Sequence, residues 1–139
     1  MPLTKKDQEL IEAATKAIKG RYRNEWQEVG AAMRTRDGRI VTGVNIDAYV
    51  GRGAVCAEAI AIGRAITETG DKGIDTIVAV RHPKPGEPGK IAVVSPCGTC
   101  RELIHDYDAK ARVIVPGGKA PTVARIGELL PNKYRRGMD

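Results

Sequence analysis

Three cysteines and one glutamate in this chain stand at spacings that suit metal-assisted hydrolysis. Two of the thiols belong to Pro96-Cys97-Gly98-Thr99-Cys100, and the third to Cys56-Ala57-Glu58. Residues three apart at the start of a helix share a face, so Cys97 and Cys100 can turn both sulfurs toward one ion. Cys56 adds a third ligand from the start of another helix. Three thiolates leave one tetrahedral position free, the arrangement of a catalytic zinc rather than a closed structural one. Water in that position becomes hydroxide near neutral pH. Glu58 is two residues from its neighbouring ligand, close enough to bond that water without ligating the metal. It can take the proton, hand it to a ring nitrogen and then to a leaving amine.

Other readings of the same residues are weaker. Three is an odd number, so a complete internal disulfide set is impossible. In a reducing compartment a Cys-x-x-Cys pair is better explained by metal binding. A fourth protein ligand would close the site, but His82 lies in a Pro-rich loop and His105 eight residues beyond Cys97 on the same helix. Both read as surface or packing residues. Ligand-x-Glu followed by Pro-Cys-x-x-Cys is the signature of zinc-dependent base deaminases. The competing classes are a zinc-stabilised protein without catalysis and a nucleic-acid-binding or editing module.

The elements that must position these residues follow from the apolar pattern. Leu10, Ile11, Ala14 and Ile18 recur at helical spacing over Asp7–Ile18, and Gly20 stops the helix. Val29–Met33 and Arg39–Val44 read as strands joined by the turn Arg36-Asp37-Gly38, a β-hairpin. Residues 45–54 are irregular. Cys56–Thr69 is a second helix with Gly70 as its stop. Ile74–Val80 is a buried strand, 81–90 a Pro- and Gly-rich loop, and Ile91–Val94 a brief strand. Cys97–Tyr107 is a third helix with proline at its start, and Val113–Val115 a further strand. Val123–Leu130 is a short helix or an extended piece ended by Pro131. This order predicts an α/β fold, one mixed sheet of about five strands with helices on both faces. Right-handed crossovers then bring the two cysteine-bearing helix starts together at one end of the sheet.

The 139 residues suit a single domain over 1–139, with ordinary proportions of 42% hydrophobic and 29% charged residues. There is no Phe, so the core is aliphatic. Any stacking on a substrate must come from Trp26, Tyr22, Tyr49, Tyr107 or Tyr134. The net charge of +6 raises a nucleic-acid partner, but the basic residues are dispersed and lack interleaved aromatics. They read as solvated surface charge. The amphipathic opening has no signal-peptide character, and no apolar run nears the roughly 18 residues of a membrane span. The expected setting is cytoplasmic.

At these motifs the chain resembles the small zinc-dependent cytidine deaminase family, and within it the blasticidin-S deaminase branch. The similar segments run nearly end to end: Met1-Pro2-Leu3-Thr4, Asp37-Gly38-Arg39-Ile40, Thr42-Gly43-Val44-Asn45, Cys56-Ala57-Glu58, Ser95-Pro96-Cys97-Gly98, Cys100-Arg101 and Glu128-Leu129-Leu130-Pro131 with Tyr134. The resemblance implies a three-layer α/β/α fold and one Zn²⁺ per chain, held by Cys56, Cys97 and Cys100. It implies a homotetramer with shared active sites, and hydroxide attack at C4 of a cytosine nucleoside such as cytidine or blasticidin S, with loss of ammonia. It assigns Glu58 to proton transfer, Asn45 to the sugar, the Ala57 backbone to the pyrimidine and the Ser95 carbonyl to the departing amine. The amide of Asn45 can both donate to and accept from a sugar hydroxyl. Asp47, Arg52, Trp26 and Tyr134 complete the expected substrate contacts.

The chain departs from the family where charge and shape are set. Asp47 stands for a longer Glu, Ala59 for an Arg that bonds the thiolates, Thr99 for an Arg between the paired cysteines, and Glu102 for Gln. The family's phenylalanines near the base are missing, and Arg136 stands where the blasticidin-type tail has an aromatic. Thiolate charge must therefore be balanced by Arg101, by Arg52 or by helix dipoles alone. Arg135 and Arg136 raise an acidic or phosphorylated nucleoside, or another aminated heterocycle, as the alternative substrate.

Overall fold

The computed structural model describes residues 1–137. Its first helix, α1 (Lys5–Lys19), begins two residues before the apolar pattern because of a capping box. Thr4 Oγ1 accepts the Asp7 N–H at 3.2 Å, while Asp7 Oδ2 accepts the Thr4 N–H at 3.0 Å. Strands β1 (Val29–Arg34) and β2 (Ile40–Val44) form the expected antiparallel hairpin, with Gly38 at φ +92° in its turn. Helix α2 (Ala57–Thr69) and helix α3 (Gly98–Tyr107) are capped by Cys56 and Cys97, so two of the three thiols sit at helix N-caps.

Between the helices lie β3 (Thr76–Arg81) and β4 (Ala92–Val94), and after α3 come β5 (Arg112–Val115), β6 (Thr122–Arg125) and the single turn α4 (Ile126–Leu129). β3 starts two residues later than its apolar run. Ile74 is buried, but its N–H goes to Asp108 Oδ2 at 2.9 Å rather than into the ladder. The C-terminal piece proves to be both extended and helical: β6 pairs with β5, and then α4 turns away. The sheet has six strands, in the order β2-β1-β3-β5-β6 with β4 also on β3.

β3 organises the site end. β1 covers the whole of one edge, from Thr76 to Arg81. Its other edge is shared, parallel with β5 at Thr76 and Ile77, and antiparallel with β4 from Ala79 to Arg81. β4 therefore delivers Ser95, Pro96 and Cys97 to the middle of the sheet rather than to its rim.

Strand alternation sorts the core into two layers. Ala31, Met33, Ile77 and Val113 face α2, α3 and α4 with Ala61, Ala65, Ile104 and Ile126. Ala32, Val78, Val80 and Ile114 face α1 with Leu10, Ala14 and Ile18. The result is the three-layer α/β/α arrangement. Glycine lets α2 lie close: a Cβ on Gly43 of β2 would come within 2.6 Å of the Ala61 nitrogen and 2.8 Å of the Ala57 oxygen. No described helix is long and apolar enough to cross a membrane.

Candidate active site

A cavity of about 330 Å³ opens where α2, α3 and the loop after β2 meet. Cys56, Cys97, Ala57, Glu58 and Ser95 line its base, and Asn45 and Asp47 line one side. Main-chain bonding holds that side in place. Ile46 and Val55 form an isolated antiparallel bridge, N to O 2.9 and 2.8 Å, which pins the loop so that Asn45 and Asp47 lie beside Cys56.

The Sγ atoms of Cys56, Cys97 and Cys100 all lie within 4.8 Å of one another, with Cys56 and Cys97 at 3.5 Å. Zinc–sulfur bonds of about 2.3 Å at tetrahedral angles put sulfurs roughly 3.8 Å apart, so this donor set fits one zinc ion. His82 offers no fourth ligand. Its ring stacks on Tyr22 at 3.7 Å, and Nδ1 pairs with the Pro83 carbonyl. His105 lies in the last turn of α3, away from the sulfurs at its start. Among the described residues no fourth ligand joins the three sulfurs, and Cys56 and Cys97 line the cavity.

Burial pushes the Cys100 thiol far up, and the Cys56 thiol up as well, with neighbouring negative charge adding to it. At Cys97 desolvation is outweighed by hydrogen bonds from the Cys100 backbone and from the other two thiols, so this thiol sits below its ordinary value. Three thiols held this close without a cation disfavour joint ionisation, and a divalent ion removes that penalty. Charge balance does not come from arginine. Arg101 is occupied by two carbonyls, Nε to Pro96 O at 2.9 Å and Nη1 to Leu129 O at 3.0 Å, and Arg52 is exposed on the 3₁₀ turn Gly51–Gly53. The groups facing the sulfurs are the N-terminal ends of α2 and α3.

Glu58 is 5% exposed, in the first turn of α2. Desolvation raises its carboxyl above the usual carboxylate range, opposed by its own backbone N–H and by the Cys100 thiol. A buried carboxyl beside a metal-ligand set, open to a cavity, is built to hold and release a proton.

Asn45 is more committed than its composition suggests. Oδ1 accepts the backbone N–H groups of Glu28 at 2.8 Å and Val29 at 2.9 Å, and Nδ2 donates to Trp26 O at 3.0 Å. Both oxygen lone pairs are used, leaving one N–H to offer. The expectation that this amide also accepts from a ligand is corrected accordingly. Asp47 Oδ1 takes the Ala48 N–H at 2.7 Å, which leaves Oδ2 for the cavity.

Three expected contacts do not reach this cavity within one chain. Trp26 lines a neighbouring hollow of about 470 Å³ with Tyr49 and Asp47, and Asp47 is common to both. Arg52 and Tyr134 are exposed elsewhere, Tyr134 at 74%. No aromatic residue lines the cavity; its walls are Val29, Ile46, Ala54, Val55, Ala79 and Val94. Sequence reasoning missed these aliphatic walls and the Glu28 and Val29 amides, because a backbone donor leaves no mark on residue type.

A family model for the cytidine and deoxycytidylate deaminase zinc-binding region matches residues 4–116. The chain is 49% identical to the blasticidin-S deaminase of Bacillus cereus over 135 residues, 96% of each protein. It is 31% identical to a cytidine deaminase of Mycobacterium tuberculosis over 106 residues, 76% of this chain and 71% of that one. Among solved structures, the cytidine deaminase from Mycobacterium leprae superposes with TM-score 0.74 at 29% identity, covering 94% of this chain and 100% of that one. The cytidine deaminase from Bacillus anthracis does so with TM-score 0.76 at 25% identity, covering 91% and 88%.

Proposed function

This chain belongs to the cytidine and deoxycytidylate deaminase family, and on that premise we propose that it deaminates a cytosine nucleoside of the blasticidin S type. It is a zinc-dependent aminohydrolase acting on the cytosine-nucleoside class. One observation carries the reading: buried Glu58 and the sulfurs of Cys56 and Cys97 share the base of a single cavity sized for a small ligand. The finer choice of blasticidin S over cytidine is supported by the 49% identity to a blasticidin-S deaminase.

Cys56, Cys97 and Cys100 would hold the zinc, which when bound supplies a Lewis acid that brings the ionisation of water near neutral pH. Glu58 accepts the proton of the attacking water as oxygen bonds to C4 of the ring. It delivers that proton to N3 and then carries the second one to the amino group, so that the C4–N bond breaks and ammonia leaves. Glu58 returns to its starting state. The Ser95 carbonyl receives the departing amine, the Ala57 backbone contacts the ring, and Asn45 with Asp47 holds the sugar.

We place the assembly as a homotetramer in the cytoplasm, with residues 1–139 as one domain. Ile46 (48% exposed), Tyr49 (99%), Val50 (72%) and Val55 (36%) form an apolar strip beside the cavity mouth. A cavity without aromatic lining, next to such a strip, suits completion by a neighbouring copy. Trp26, Arg52 and Tyr134 act in this reading at the mouth or across that contact.

The test is incubation with cytidine, deoxycytidine and blasticidin S, following ammonia and the ultraviolet change of the cytosine ring. Turnover with the highest kcat/KM on blasticidin S is expected. Preference for cytidine overturns the finer assignment, and no turnover of any of the three overturns the substrate class.

A further inference from the structure

The main-chain amides that fix Asn45 stand where a loop under strain runs into β1, Glu28 ending the loop and Val29 opening the strand. Glu25 has φ +62°, a left-handed conformation that a side chain makes costly. The loop is closed by the Glu25 N–H to Glu28 Oε2 at 3.1 Å and by Trp26 O receiving Asn45 Nδ2. Besides Asn45, a second side chain from outside clamps it. Lys84 Nζ donates to Glu28 Oε2 at 2.9 Å and Oε1 at 3.3 Å, and to Glu25 Oε1 at 3.1 Å. Lys84 is itself anchored, since the His82 N–H bonds Glu28 O at 2.8 Å and the His82 ring stacks on Tyr22. The connection therefore runs from Lys84 to the Glu28 carboxylate, through the Glu28 and Val29 amides, to Asn45 Oδ1.

We propose that Lys84 is a positioning residue for substrate binding, which holds the 25–28 loop so that Asn45 presents its one remaining N–H to the nucleoside. This rests on the reading of the cavity as the nucleoside site. Lys84 does not line that cavity and touches no reacting atom. Without it the strained turn relaxes, the Glu28 amide and the Trp26 carbonyl shift from the Asn45 amide, and only the Val29 amide, held in β1, still fixes that side chain. The sugar-side contact then weakens while the sulfurs and Glu58, held by α2 and α3, keep their places.

The test is Lys84→Met, with Lys84→Arg and Asn45→Ala for comparison, on the cytosine nucleoside that the wild-type enzyme turns over. Lys84→Met is expected to raise KM roughly 3- to 10-fold, the size of one hydrogen bond, with kcat within about 2-fold. Zinc content and Tm stay at wild-type levels, and Lys84→Arg restores KM. In the Asn45→Ala background, Lys84→Met adds no further loss, since the group it positions is gone. An unchanged KM in Lys84→Met overturns the proposal, and so does an additive loss in the double variant. Failure of the underlying reading shows separately, as absence of turnover by the wild type.

Discussion

The two faces of the sheet are built with similar apolar economy and opposite use of polar groups. On the α1 face the buried charged residue is Asp7, 2% exposed, and Arg112 answers it with Nη1 to Oδ1 at 2.9 Å and Nη2 to Oδ2 at 3.0 Å. Thr76 Oγ1 takes the same Nη1 at 2.7 Å, so the group is closed on itself. On the α2–α3 face Glu58 is nearly as buried, but no cationic side chain among the described residues faces it, and three thiols crowd beside it. One face satisfies its buried charge and becomes inert. The other leaves a proton carrier and a donor set with no cation to balance them among the described residues, which is the condition for chemistry.

Cys97→Ser tests the site face most severely. It is expected to lose zinc and activity together, and to lower Tm, because metal binding is linked to folding; zinc assay and thermal melts check this. Glu58→Gln separates chemistry from structure. The fold and zinc should remain while kcat drops on the order of 10²–10⁴-fold, since the proton carrier alone is removed. Zinc retained with full activity would show that the uncompensated carboxyl is not what distinguishes this face.

The two glycines under the helices sharpen the comparison. Gly43→Ala drives a Cβ into the backbone of α2 at Ala57 and Ala61, and Gly30→Ala drives one to 2.5 Å from Ala14 O of α1. Each is expected to cost roughly 2 kcal/mol by overpacking. Only Gly43→Ala moves the turn bearing Glu58, so its kcat should fall roughly 10- to 100-fold, against about 3-fold or less for Gly30→Ala. Equal kcat losses would mean that the faces are mechanically coupled.

The smallest effect on turnover belongs to the closed pair. Arg112→Met leaves Asp7 uncompensated, yet Arg112 keeps 25% of its side chain exposed. The expected loss is therefore about 2–3 kcal/mol by denaturant melts, with kcat unchanged. Burial alone would raise the Asp7 pKa, but the Arg112 and Thr4 hydrogen bonds and the Arg112 charge hold it below its ordinary 3.8. A depressed folded pKa means that this stability is fully present above that value. It is lost as pH falls through 3.8 toward the lower folded pKa, where the folded carboxylate finally takes its proton. In Arg112→Met that part of the acid sensitivity should disappear.

The ligands and Glu58 could be read in the chain because their placement is local. A cysteine at an N-cap, or one turn inside a helix, is oriented by the helix itself, so spacing along the sequence is nearly spacing in space. The hairpin, the helices and most strands were legible for the same reason: periodicity reports which face is buried. The split edge of β3, which carries Cys97 to mid-sheet, was not, since strand partners are chosen by the whole sheet. Nor was the exhaustion of Asn45 by two backbone amides, or the absence of every aromatic side chain from the cavity wall. Residue types and their intervals determined the donor atoms and the proton carrier. Only the tertiary structure decided which loops meet around them, because loop contacts depend on long-range closure, as in the Ile46–Val55 bridge and the Lys84 clamp.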